Sequence, residues 1–226
     1  ELLKNFGPEL SDTELTDIRL RLEASGLRLV TYEVAEVPSD QAACRKLFKF
    51  GRKMGIETFI ASPGPEALDL VEPLCEEFGI NFAIINGDRA TSAPYWKPGA
   101  LVRATRTRSA RVGACADVDA WLRSGVNPVR GVRTLGNRLI TVRMQNLDAA
   151  GAKGLGRPAG MRGERFQQFL AEIQRLGIQP SMFGLGCRTG DTEAASLMSQ
   201  SIEVFNAKTL ELAARRNKIA QRRNGN

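Results

Sequence analysis

The chain has 226 residues, 42% of them apolar, which is enough to bury a proper core in one large domain or two small ones. It contains no histidine, so any site must work without the commonest metal ligand and general base. Thirty-two Lys and Arg against 25 Asp and Glu give a net charge of +7.

The positive excess concentrates in "RATRTRSAR" (103–111) and in the basic tail 214–226. The first falls on a predicted surface helix and the second at a chain end, so both are taken as solvated segments and no nucleic-acid partner is expected. Cys44, Cys75, Cys115 and Cys187 are widely spaced with no Cys-x-x-Cys pair, which argues for buried thiols and against a zinc or disulfide scaffold. No apolar run approaches the roughly 20 residues that span a bilayer, so no membrane partner is expected. Localisation is open: a soluble, cytoplasmic protein is the default, and the start at Glu1 leaves room for a removed leader or a missing upstream segment and therefore for export.

In chain order, "SDTELTDIRLRLEASG" opens with Ser11 as N-cap and Glu14 three residues on, a capping box, and stops at Gly26. A strand "LRLVTYEV" (Leu27 to Val34) follows, then the helix "SDQAACRKLFKFGRKMG", the strand "IETFIASP" (Ile56 to Pro63) and a helix begun by Pro65. The alternation continues with strand "INFAIING", a helix from Pro98 to Ala110, strand "RVGACAD", helix "DAWLRSG" and strand "RLITVRM". Helix "GERFQQFLAEIQRLG" turns Phe166, Phe169, Leu170 and Ile173 inward, and a short strand "PSMFGLG" leads to a closing helix from Thr192 to Arg216.

Six strands separated by helices predict an α/β fold with a parallel sheet, wound open or closed as a barrel. No composition shift marks a boundary, so 1–226 is expected to form a single domain. The glycine-rich loop 149–160 fits either a substrate lid or a disordered connection. It lacks the order of a phosphate-binding loop, and no Gly-x-Gly-x-x-Gly fingerprint opens the first helix.

The segments "GLRLVTYEV", "GIETFIASPGPEALDLVEPLCEEFGINFAIING", "YWKPGAL", "RVGACADVDAWLRSGVNPV" and "RLITVRMQNL", in this order, resemble the sugar phosphate isomerase/epimerase family, the xylose isomerase-like TIM barrels. The likeness runs from about Ser11 to Asn206. It implies a partial TIM barrel in which this chain supplies the third to eighth strands. Such a sheet would leave the edges of "LRLVTYEV" and "PSMFGLG" open to other chains. A fragment of a longer gene product is the first explanation, an assembly or a flattened sheet the second.

The family holds a divalent metal such as manganese or magnesium with two glutamates, an aspartate and a histidine at the carboxyl ends of the strands. Asp117 is the only one of these positions that the resemblance retains. Ser62 stands for one glutamate, Arg143 for the ligand histidine, and Gly186 for the other glutamate. Further family histidines fall on Ile85, Gly87 and Ala120, and a lysine and an aspartate on Gln145 and Asn146. No metal cofactor is therefore expected.

An arginine repels a cation, so Asp117 is expected to cap the following helix and to pair with Arg143 from the adjacent strand. Cys115, on the same face as Asp117, is taken as a core thiol, and Glu33 is the one candidate acid or base. The resulting pocket is Glu33, Ser62, Asn86, Asp117, Arg143, Gln145 and Asn146, for a carbohydrate or sugar phosphate.

Three readings stand. The first is a degenerate, pseudoenzyme-like relative of the isomerases and epimerases that still binds a sugar. The second is an active isomerase completed by an upstream segment or partner chain. The third is a structural module of an oligomer or a larger protein. Whether catalysis occurs is left open, but the histidine-rich three-metal site of the superfamily's nucleases is excluded.

Overall fold

Side-chain caps at Ser11, Asp40, Asp117 and Asn127 open four helices, and glycines in the left-handed region, Gly55 and Gly79, close two. The computed structural model describes residues 6–145, 163–186 and 191–224. Helix α1 (Asp12–Ala24) starts at the reciprocal Ser11 and Glu14 capping box. Helix α2 (Gln41–Met54) starts at Asp40, whose carboxylate accepts from the Ala43 N–H at 2.9 Å, and ends at Gly55 with φ 75°. Helix α3 (Pro65–Phe78) has proline in its first turn and ends at Gly79.

Between and after these run β1 (Thr31–Glu33), β2 (Thr58–Ala61), β3 (Asn81–Ile85), α4 (Pro98–Thr105), β4 (Val112–Asp117), α5 (Val118–Arg123) and α6 (Pro128–Leu135). Then come β5 (Leu139–Gln145), α7 (Gly163–Arg175), β6 (Met182–Gly186) and α8 (Asp191–Asn224). All six strands are parallel and pair in chain order, β1 to β6. The sheet curls into a half-barrel with helices around it, the incomplete TIM-barrel-like fold that the sequence implied.

Alternate residues of each strand serve opposite faces. The outer face carries Phe59, Phe82, Ile84, Val142 and Met144, all buried beneath the helices with Phe48, Leu68, Leu101, Trp121 and Phe169. On α2, Gly51 lets this layer close up, because a Cβ there would stand 2.5 Å from the Phe59 ring. The inner face holds a much smaller cluster, Ile60, Ala83 and Cys115, flanked by Ile85 and Ile140.

Four expectations change in detail. Strand β1 is three residues long, because it lies at the sheet edge and pairs only with β2. Helix α4 stops at Thr105, five residues early: the Arg138 guanidinium binds the carbonyls of Arg106, Arg108 and Ser109, which holds that segment in a turn. Helix α6 has no counterpart among the predicted elements, although Asn127 caps it and Pro128 opens it. Helix α8 runs on past Arg216 through good helix formers to Asn224.

No ladder joins β1 to β6, so the sheet stays open as expected, although the curl brings the Thr31 hydroxyl 3.7 Å from the Met182 sulfur. The glycine-rich loop 149–160 and Cys187 lie outside the described residues. Among the described residues no helix is long and apolar enough to cross a membrane.

Candidate functional site

The carboxyl ends of the strands gather the charges of the inner face. Asp117 is the last residue of β4 and lies in register with Arg143 on β5. Glu33 ends β1 on the far side of the curl. The Arg143 guanidinium joins them: Nη1 is 2.6 Å from Glu33 Oε2, and Nε is 3.7 Å from Asp117 Oδ2. Exposure grades across the three side chains, 10% for Asp117, 32% for Arg143 and 57% for Glu33, so the set opens outward from the β4 end.

Asp117 is fixed on every side. Its Oδ1 accepts from the Ala120 N–H at 2.9 Å and caps α5, while Oδ2 faces Arg143. The buried Asn86 side chain, at the end of β3, clamps its backbone in both directions. Nδ2 donates to the Asp117 carbonyl at 2.9 Å, and Oδ1 accepts from the Asp117 N–H at 2.8 Å. A strand that turns straight into a helix needs such partners, because its last N–H and C=O have left the ladder.

The other predicted residues scatter more. Ser62 is exposed, just beyond β2, and lines a cavity of about 270 Å³ with Ala35, Glu36, Val37, Pro63 and Gly64. This cavity lies between the segments that leave β1 and β2. Gln145 ends β5 in register with Gly186, and Asn146 lies outside the described residues. Asp88, two residues beyond Asn86, is held by another partner, its Oδ2 2.7 Å from Arg123 Nε.

Cys115 is fully buried one inward step below Asp117, and burial, with the Asp117 charge adding, pushes its thiol far above the ordinary range. A thiol so placed is no nucleophile. The basic stretch after α4 is largely neutralised by α3: Arg108 pairs with Asp69 and Glu72, and Arg111 with Glu76.

The partner that sequence reasoning missed is Glu33 for Arg143. The two are separated by 110 positions and meet only because the sheet curls. Two carboxylates and one guanidinium give the cluster a net charge of about −1 in a partly dry setting. Among the described residues no group of three or more His, Cys, Asp or Glu could hold a metal ion.

A curled parallel sheet with its polar residues at the carboxyl ends of the strands defines an α/β protein of the TIM-barrel type. Among solved structures, the chain is similar to an L-ribulose 3-epimerase, with a TM-score of 0.68 at 12% identity over 94% of this chain and 84% of that one. It is similar to a 3-keto-D-glucoside 4-epimerase from E. coli, with a TM-score of 0.66 at 10% identity over 89% and 87% of the two chains. It is also similar to a xylose isomerase domain protein from Planctomyces limnophilus, with a TM-score of 0.65 at 13% identity over 90% and 86%.

These neighbours and this chain share a TIM-barrel-like fold, which this chain carries in an incomplete six-stranded form. At such identities the likeness is one of fold. No protein-family model matches the sequence, and no curated protein does either.

Proposed function

We propose that the chain binds a carbohydrate or sugar phosphate at the carboxyl ends of its strands, through Glu33, Ser62, Asp117, Arg143, Gln145 and Asn146, with Asn86 holding Asp117 in place, and that it does so without a divalent metal. The observation that carries this reading is the guanidinium of Arg143 between Glu33 and Asp117. The donor set fits a divalent cation poorly. Both carboxylates already face a fixed positive charge, and a metal entering between them would meet that charge at close range. The neighbours that share the fold include epimerases named for sugars, which supports a sugar as the ligand.

Paired carboxylates accept hydrogen bonds from vicinal hydroxyls, and a guanidinium retains donors for a carbonyl, carboxylate or phosphate. Arg143 uses Nη1 and Nε toward its two partners, which leaves Nη2 for the ligand. A neutral sugar can bridge Glu33 and Asp117 as they stand, whereas a phosphate gains full access only when the half-exposed Glu33 swings away.

The test is isothermal titration of the whole chain with ketohexoses, ketopentoses and their phosphates, with and without manganese, and with bound metal counted by elemental analysis. Binding that needs no manganese and is lost in Arg143→Gln supports the reading. One equivalent of tightly held metal, or sugar binding that Arg143→Gln leaves intact, overturns it.

A further inference from the structure

The loop from β3 to α4, residues 86–97, leaves the carboxyl end of its strand and is fastened at both of its ends. At its start Asn86 clamps the Asp117 backbone, Asp88 is bound to Arg123 at 2.7 Å, and the Arg89 N–H donates to the Ser124 hydroxyl at 2.9 Å. Near its close the buried Tyr95 donates its hydroxyl to the Pro63 carbonyl at 2.8 Å, beside Ser62. Gly87 lets the loop fold on itself, because a Cβ there would run into Ala93.

This fixed loop gathers positive charge around one ring. The Arg89 guanidinium lies 5.5 Å from the centroid of the half-buried Trp96 ring, and the Lys97 ammonium lies 4.8 Å from it. Among the described residues neither cation meets a carboxylate, since the one acid of the loop, Asp88, is taken by Arg123. An aromatic face attracts each cation, but two like charges gathered at one ring repel each other, and an anion bound to both removes that repulsion.

Helix α4 adds to the field. Lys97 is its N-cap and makes no side-chain bond to the first turn, so the positive end of the helix stays uncompensated there. Arg103 Nη1 stands 3.6 Å from the place that a Gly99 Cβ would take, which puts a third cation by the same turn.

We propose that Arg89, Trp96 and Lys97 form a phosphate subsite at the rim of the strand-end site, and that the ligand of this chain is a sugar phosphate whose sugar end meets Glu33, Asp117 and Arg143. The inference rests on the reading of the strand ends as a sugar site and fixes which class of sugar enters it. Guanidinium and ammonium give charge-assisted donors to the phosphate oxygens. Arg89 follows Asn86 by three residues, so its Cα lies within about 11 Å of the residue that clamps Asp117. A phosphate held by the loop also leaves the ion pair of Glu33 and Arg143 closed, and no side chain has to swing away.

Calorimetric titration of the whole chain tests this, with inorganic phosphate, a ketopentose and the phosphate ester of that ketopentose as probes. Chloride keeps the ionic strength constant, and tryptophan emission is followed in parallel. Trp121, the other tryptophan, is fully buried in the outer core and gives a constant background. Inorganic phosphate should bind and change the Trp96 emission. Arg89→Gln and Lys97→Gln, both at exposed positions, should each weaken that binding about tenfold with an unchanged circular dichroism spectrum. The ester should bind the wild type about tenfold or more tighter than the free ketopentose, and the double variant should bind the two alike.

Phosphate bound no better than chloride, or bound equally well by the double variant, overturns the subsite even where the free sugar binds. An ester that binds no tighter than inorganic phosphate, with no binding of the free sugar, upholds the phosphate subsite and overturns the sugar reading of the strand ends.

Discussion

On the outer face of the sheet, Phe59, Phe82, Ile84, Val142 and Met144 lie fully buried against a continuous helical layer. On the inner face, the same strands offer Ile60, Ala83 and Cys115 low down and then Glu33, Asp117 and Arg143 at the carboxyl ends. The outer face is a closed apolar core, and its burial carries the stability of the chain. The inner face is thinly filled and ends in charges that hold one another. The fold can therefore keep its shape while the strand ends change, which is how one barrel supports many sites.

The largest expected effect breaks or upholds that contrast directly. Phe59→Ala removes a ring packed between Phe48 and Tyr32 and costs about 3–5 kcal/mol by chemical denaturation. Ile60→Val, one residue along and on the other face, costs about 1 kcal/mol. Comparable losses at the two positions would mean that the inner face is as much a core as the outer.

Next in size is Asp117→Ala, which deletes the cap of α5 and one partner of Arg143 and lowers stability by about 2 kcal/mol. Asp117→Asn keeps an oxygen for the Ala120 N–H and loses about half as much. Equal losses in the two variants would assign the whole effect to the charge.

Arg143→Gln changes stability less, about 1 kcal/mol or below, because its stronger contact is with the half-exposed Glu33. Its informative readout is a metal titration. With the guanidinium gone, Glu33 and Asp117 are free to attract manganese, so the variant should show a thermal shift with the ion that the wild type lacks. A wild type that responds as strongly would end the view of Arg143 as a fixed substitute for a cation.

The sequence conveyed these two faces unequally. Apolar periodicity, caps and glycine stops marked every strand and all but one helix, because those signals are local. Helix α6 has no counterpart among the expected elements although Asn127 and Pro128 announce it, since it is only eight residues long and follows α5 after only four. The pairing of Asp117 with Arg143 could be anticipated from adjacent strands. The pairing of Glu33 with Arg143 could not, because it depends on how far the sheet curls. Nor did any pattern announce that Asn86 would spend its amide on the Asp117 backbone; the only hint was its place at the end of the neighbouring strand.

The overlooked helix also carries the smallest effect, which sharpens the contrast from the outer side. Glu172 on α7 accepts from Arg175 of its own helix and from Arg133 on α6, at 2.7 and 2.8 Å, and so ties the two helices together. The Arg175 hydrogen bonds first, and the Arg133 bond second, hold its carboxyl down from the ordinary 4.5 to about 2. A carboxylate held low in the folded state contributes stability above its unfolded pKa and loses it as pH falls through the folded value. Melting temperature should therefore be higher for the wild type than for Glu172→Gln at neutral pH, and the gap should close between pH 4.5 and about 2. The exposed arginines keep the gap small, since solvent and salt screen both bonds. No gap at neutral pH would show that the Glu172 charge adds nothing that a glutamine of the same shape does not, and the outer layer would then owe its cohesion at this point to packing alone.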